Sequence, residues 1–211
     1  HPPLLHHNPQ TVLLSKRDDD NAFMRAEMAG YYDEIARADR HIGLVIAALR
    51  EEGVLENTLV IVLSDNGSQF GGAKTTLYDD GIKTPLMMRF PRLIPAHIAN
   101  QQLVSAVDLM PTLLALAGLP TVPNTPGVSL LPTLRNPAVP VRDYIYAEKN
   151  QHGQPHFSRA VRTKSFLYKR NFRNRKLCDP NADMIFDPTP PRGTHFAELY
   201  DLKKDPGQSH N

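Results

Sequence analysis

The segment LVIVLSDNG, Leu59 to Gly67, constrains this chain more than any other. Five consecutive apolar residues, Leu59 to Leu63, stop abruptly at Ser64 and Asp65. A continuous apolar run of this length, rich in Val and Ile, suits a strand covered on both faces, as in a parallel sheet. A second run, TPLMMRF (Thr84 to Phe90), predicts another short strand closed by Pro91. Ligands in open α/β sheets bind beyond the carboxyl ends of strands, where Asp65 and Asn66 sit. A carboxylate oxygen and an amide oxygen are hard donors suited to Ca²⁺ or Mg²⁺. Gly67 lets the backbone turn sharply after them. Lys74, in the loop GGAK, can reach back as a point charge to an anionic group. Asp-Asn-Gly is also an ordinary turn, and most lysines are solvated surface groups, so on these residues alone both readings stand. Asn66-Gly67-Ser68 matches the N-glycosylation pattern too. A sugar there conflicts with metal ligation, and the match is read as chance.

The rest of the chain fits an α/β organisation. Residues 1 to about 20 are Pro- and His-rich, then charged, and read as an extended surface segment. From about Asn21 to Glu52, Met28, Ile35, Ile42 and Leu49 recur with Tyr31, Ala38 and Val45 between them, which makes one apolar helical stripe. Asp20 or Asn21 caps its start and Gly53 stops its end. The triple Asp18–Asp20 reads as a solvated helix start rather than a metal cluster, because consecutive side chains do not converge on one point. SAVDLMPTLLALAGLP (Ser105 to Pro120) predicts a helix with Pro111 in an early turn and Gly118 at its end. A proline-rich connector follows, with a subdomain boundary near Pro137–Arg142. Residues 1–140 then form an α/β portion and 141–211 a small antiparallel β subdomain, built from YIYAE, RAVRT, FLYKR and AELYDL.

Composition excludes some classes. The net charge is +2, so no global field points to nucleic acid or membrane. No apolar run approaches the ~18–20 residues of a membrane span. The single cysteine, Cys178, excludes an internal disulfide framework. The chain opens on HPPLLHHNPQ, without methionine, and reads as a piece of something longer whose start has room for an export signal. Arg159 to Lys176 holds eight cations with Phe166, Tyr168 and Phe172 interleaved, a pattern that also suits nucleic acid. A β-hairpin with alternate residues facing solvent is the favoured account, so no nucleic-acid partner is expected.

Four motifs occur in order: YYDEIARADRHIGLVIAALREEGVLENTLVIVLSDNG, AKTTLYDDGIKTPLMMRFP, VSAVDLMPTLLALAGLP and ELYDLKKDP. Together they resemble the C-terminal half of a type I, formylglycine-dependent sulfatase of the alkaline phosphatase superfamily. The Asp65-to-Lys74 spacing and KTTLYDDGIKTPL are most like the heparan N-sulfatase (sulfamidase) group. The resemblance covers roughly residues 22 to 210. It implies part of an alkaline-phosphatase-like, mostly parallel sheet with flanking helices, followed by a small antiparallel sheet. It implies that Asp65 and Asn66 ligate Ca²⁺ (Mg²⁺ being the alternative) and that Lys74 contacts the sulfate in a catalytic role. His1, in a His-x-Pro match, and His152, in KNQHGQPHF, are the candidates for a histidine facing the reaction and one recognising the sugar. His156 lies in the same region as His152. The expected partner is a sulfated small molecule or polysaccharide, and the expected compartment is periplasmic, secreted or lysosomal.

The family's Cys-x-Pro-x-Arg nucleophile, which becomes formylglycine, is absent, and so are its two N-terminal aspartate ligands. Cys178, in CDPNA, lacks the arginine and follows the Asp-Asn pair instead of preceding it, so it reads as a structural or loop thiol. Ca²⁺ wants about 6–8 oxygens, so the remaining ligands are expected from the missing N-terminal half of the domain, and the isolated chain is expected to be inactive. Two other readings remain. Phosphodiesterases and phosphonate hydrolases of the superfamily typically carry Asp-His where this chain has Asp65-Asn66, and the amide oxygen favours Ca²⁺ over softer metals. The third reading is a non-catalytic module that binds polyanions.

Overall fold

The computed structural model describes residues 6–15, 18–152, 154–172 and 195–210. His1, Cys178 and the cations Arg173, Arg175 and Lys176 lie outside them. The first element is a 30-residue helix, α1 (Ala22–Glu51). Asn21 caps it, its side-chain oxygen accepting from the Met24 N–H at 2.9 Å. It ends in a Schellman turn: Gly53, at φ +70°, donates to Arg50 O, and the Val54 N–H reaches back to Leu49 O at 3.0 Å. Strand β1 (Val60–Leu63) follows, then the single-turn helix α2 (Asp79–Ile82) and strand β2 (Leu86–Arg89). A 3₁₀ turn (Ala106–Asp108) leads into α3 (Leu109–Leu116), whose Gly118 at φ +69° builds a second Schellman turn. Helix α4 (Leu131–Arg135) precedes four strands: β3 (Tyr144–His152), β4 (Gln154–Thr163), β5 (Phe166–Phe172) and β6 (Ala197–Asp201).

The β1–β2 pair is antiparallel, with Val60 opposite Arg89 and Leu63 opposite Leu86. The expected parallel neighbours of β1 are not among the described residues. The segment joining β1 to β2, a loop with one short helical turn, returns the chain antiparallel instead of crossing over. Strand β1 is accordingly only half-buried, with Leu63 exposed. The apolar stripe of α1 is largely uncovered as well: Ile35 and Val45 keep 49% and 59% of their surface, and only Met28 and Ala29 are buried.

The last four strands form one antiparallel sheet, as the sequence predicts, and the structure orders it β3-β4-β5-β6. Its period-2 alternation runs opposite to the expected cationic display. On β5 the inward residues are Leu167, Lys169 and Asn171, while Phe166 and Tyr168 face out. One cationic residue of the basic stretch is therefore buried and two of its aromatics are exposed. Two small cores result. Val12, Met28, Ala29 and Phe70 pack the extended N-terminal segment on α1. Leu77, Ala160, Leu167 and Tyr200 pack the segment entering α2 on the inner face of the C-terminal sheet.

Candidate functional site

Strand β1 delivers its carboxyl end to the β2 side of the molecule, where the Ser64 N–H still bonds Pro85 O at 3.2 Å. The chain then turns. The Ser64 hydroxyl donates to Asn66 O at 2.9 Å, and the Gly67 N–H donates to Gly81 O at 3.2 Å. Glycine at 67 lets the turn approach α2, and glycine at 81 lets α2 approach the Lys74 loop. A Cβ at position 67 would sit 2.0 Å from Asp80 O, and one at 81 would sit 2.4 Å from Thr76 O. The turn thus meets α2, and α2 meets the Lys74 loop, backbone to backbone, which glycine alone permits.

Asn66 and Lys74 line one cleft of about 500 Å³, together with Ser64, Ser68 and residues of α1. The Asn66 amide NH₂ donates to Gly67 O at 2.8 Å, and its Oδ1 has no protein partner among the described residues. Locking the donor end this way presents the oxygen, the atom a hard cation needs. Lys74 is exposed, and its ammonium has no ion-pair partner among the described residues. Its backbone N–H donates to Ser68 O at 2.8 Å and folds the loop back over the turn. Glu27 and Glu34 of α1 line the cleft too and disfavour an anion beside them.

Asp65 differs from the expectation of a common pocket. It is exposed and does not line the cleft. Strand β1 has ended at Leu63, and Asp65 and Asn66 lie in the bend that follows, where Asn66 lines the cleft and Asp65 faces solvent. Among the described residues no three His, Cys, Asp or Glu side chains converge on a metal-sized point. The two oxygen donors fit a hard cation in kind and fall short in number. His1 lies outside the described residues. His152 closes β3 and His156 lies within β4, but their side chains lie outside the described residues.

The loop that carries Lys74 is strained and held from two sides. Gly71 and Gly72 have φ of +61° and +66°, and Thr75 has φ +69°. Left-handed backbone is costly for a β-branched residue and persists only where the surroundings impose it. On one side, Asp18 accepts the Gly71 N–H at 2.7 Å. This corrects the reading of Asp18–Asp20 as a wholly solvated helix start. Asp18 pins the loop, and Asp20 holds Arg25 at 2.5 and 2.7 Å. On the other side, the segment entering α2 is bound to the C-terminal sheet. Arg162 of β4 forms two hydrogen bonds to the Asp79 carboxylate, at 3.0 and 2.8 Å. The side-chain oxygen of Gln208 accepts the Asp79 N–H at 2.9 Å. Tyr78 donates to Glu198 at 2.7 Å.

The family described as Sulfatase matches residues 1–119, more than half of the chain. The chain belongs to the sulfatase family. Residues 71–187 match the family described as N-sulphoglucosamine sulphohydrolase, C-terminal. An "Ulvan-active sulfatase" of Formosa agariphila is 31% identical over 91% of this chain and 40% of its own length. The "N-sulphoglucosamine sulphohydrolase" of Homo sapiens is 30% identical over 97% of this chain and 47% of its own length. The chain thus spans less than half the length of these sulfatases. Among solved structures, a protein in complex with its substrate, D-glucosamine-2-N,6-O-disulfate, shares the fold with TM-score 0.70 and 24% identity, over 90% of this chain and 36% of that one. The sulfatase fold is thereby established for this C-terminal part, including the resemblance to the heparan N-sulfatase group.

Sequence reasoning reached the Asp-Asn turn and Lys74 and missed the groups that hold them. Asp18 was legible only as a charge run, and Glu198 sits in ELYD as one acid among many. The available signal for Glu198 was its place at an inward position of an alternating strand, where a charge needs partners.

Proposed function

We propose that the protein containing this chain hydrolyses a sulfate ester or N-sulfate on a sugar, and that this chain supplies part of the metal and anion site. The carrying observation is the cleft lined by both Asn66, whose NH₂ donates to Gly67 O and whose Oδ1 has no protein partner among the described residues, and Lys74, whose ammonium has no ion-pair partner there. The family membership and the human N-sulphoglucosamine sulphohydrolase relative support the reaction class. Asp65 and Asn66 would hold Ca²⁺, whose charge would neutralise sulfate oxygens. Lys74 binds and orients the sulfate and stabilises negative charge that builds on it and on the leaving oxygen or nitrogen as the bond to sulfur breaks. The Ser68 carbonyl accepts the Lys74 N–H and fixes the point from which the side chain leaves the loop. The nucleophile, expected to be a formylglycine, and the remaining metal ligands belong to the portion of the domain outside this chain.

The test uses the full-length protein and an aryl sulfate. Lys74→Ala should lower kcat/KM by about 10²-fold or more, in the range of losing one charge-stabilising donor. Asn66→Ala should raise the Ca²⁺ concentration needed for half-maximal turnover and should weaken Ca²⁺ binding measured by calorimetry. The isolated 211 residues should show no turnover. Full activity in Lys74→Ala, or turnover by the isolated chain, contradicts the assignment.

A further inference from the structure

Beneath the Lys74 loop lies a polar cluster that neither the proposed chemistry nor the hydrophobic core requires. Glu198 of β6 is 4% exposed, and its carboxylate is fully engaged. Its Oε2 accepts from the Tyr78 hydroxyl at 2.7 Å and from the Tyr200 hydroxyl at 2.7 Å. Its Oε1 accepts from Asn171 Nδ2 at 2.7 Å and pairs with Lys169 Nζ at 2.8 Å. Lys169, itself 6% exposed, also donates to the Tyr78 hydroxyl at 2.8 Å and lies 3.9 Å from the centre of the Tyr78 ring. All of these groups but one come from β5 and β6. The exception is Tyr78, four residues after Lys74, which caps the start of α2.

From Tyr78 the connection to the cleft is short and rigid. Helix α2 is one turn long and gives Gly81 O to the Gly67 N–H. Gly67 O in turn receives the Asn66 amide at 2.8 Å, the bond that decides which end of that amide faces the cleft. Upstream, the Thr76 N–H and hydroxyl bond Ala73 O at 3.1 and 2.8 Å, closing the loop around Lys74 and the left-handed Thr75. No side-chain slack intervenes, because the α2–turn contact is made by two glycines at backbone distance.

We propose that Tyr78, Glu198 and Lys169 form a positioning cluster through which the C-terminal sheet sets Asn66 and Lys74 in the cleft. These are positioning residues and touch no reacting atom. A fully satisfied buried network fixes one geometry, and holding an ion-binding group to within a fraction of an ångström is what a preorganised site needs. Lys169 and Glu198 are an expensive way to fill a sheet face that hydrophobic residues fill at no desolvation cost, so their geometry is what they contribute. The role in turnover rests on the sulfatase reading, whereas the positioning of Asn66 and Gly67 does not.

The experiment separates the two. Tyr78→Phe removes one hydroxyl and keeps the ring in its core, and Glu198→Gln keeps the shape and removes the charge. Both variants of this chain are checked for folding by circular dichroism and then read by NMR at the Gly67 backbone amide and the Asn66 side-chain amide. Tyr146→Phe, on the exposed outer face of the sheet, is the control. The expected result is a shift of both signals in the folded variants, with Gly67 amide exchange at least about tenfold faster, as for a locally opened segment. In the full-length protein the same variants should raise KM for an aryl sulfate at least about fivefold per folded molecule, whereas simple loss of folded protein lowers the apparent kcat alone. Unchanged Gly67 and Asn66 signals in folded Tyr78→Phe overturn the proposal. Should that variant not fold, the same silence in Glu198→Gln does so. Shifted signals with no turnover of an aryl sulfate by the unmutated full-length protein sink the sulfatase reading and leave the positioning cluster standing.

Discussion

Asp108 offers the sharpest stability test. Its side chain is 0% exposed, and its two carboxylate oxygens receive four donors. The Ser105 and Val128 N–H groups donate at 2.9 Å each, and Arg142 Nε donates at 2.8 Å. The Arg142 Nη2 group donates to the remaining oxygen. Three segments far apart in sequence are thereby tied together: the 3₁₀ entry to α3, the proline-rich connector and the approach to β3. Arg142 keeps 16% of its side-chain surface, so Asp108→Ala strands a mostly buried guanidinium and two N–H groups. Breaking a buried pair by removing one partner costs about 3–5 kcal/mol. For a chain of this size that lowers Tm by about 6–20 °C, at 2–4 °C per kcal/mol. Urea unfolding of Asp108→Ala, Arg142→Met and the double variant completes a cycle. The double variant removes both charges and should recover part of the loss, giving a coupling of about 1.5–3 kcal/mol, the range of a charge-assisted hydrogen bond. Single losses below about 1 kcal/mol, or a coupling near zero, would mean that the carboxylate is hydrated in solution and would refute the argument.

Other outcomes follow from the same coordinates. Gly67→Ala should destabilise by about 1–3 kcal/mol or more, because the new Cβ overlaps the Asp80 carbonyl; a stability change within error on urea titration would show that α2 moves freely. Burial pushes the Glu198 carboxyl up, but hydrogen bonds from Lys169, Tyr200 and Tyr78, with the Lys169 charge, outweigh it and hold it below its ordinary 4.5. Its folded pKa is thus depressed. The stability it confers is complete above that ordinary value and is lost as pH falls through the folded one. Glu198→Gln should flatten the acid limb of a stability–pH curve, and an identical limb in both proteins would argue against this assignment. The exposed Ile35, Leu44 and Val45 of α1, with Leu63 and Met87 of the β1–β2 pair, should make the isolated chain self-associate, which light scattering across a concentration series reads; a clean monomer at high concentration contradicts it.

Much of the fold was legible because local signals and tertiary structure agree. Asn21, Gly53 and Gly118 mark helix ends by capping chemistry that operates within a few residues. The C-terminal strands announced themselves by alternation. The β1–β2 pairing was less accessible, since an apolar run says that a strand is buried and not which neighbour buries it. On β5 the pattern showed a two-faced strand but assigned the faces by hydrophobicity. The buried ion pair of Lys169 and Glu198 inverted that assignment. At the site, Asn66 and Lys74 were readable from residue type and spacing. Asp65's exposure was not readable, because it lies in the bend beyond β1, where strand alternation no longer assigns sides. The partners Asp18, Tyr78 and Glu198 lie 53 to 120 positions from what they hold, and no local pattern reaches that far.

Among the described residues β1 and β2 pair only with each other, so each keeps an outer rim of backbone groups without a ladder partner there. Such rims accept a strand from whichever polypeptide presents one. Under the proposed function, supplying the rest of the domain on a separate chain would turn site assembly into a bimolecular docking reaction. The yield of that split enzyme should rise with protein concentration, and simple dilution, without denaturant, should dismantle it.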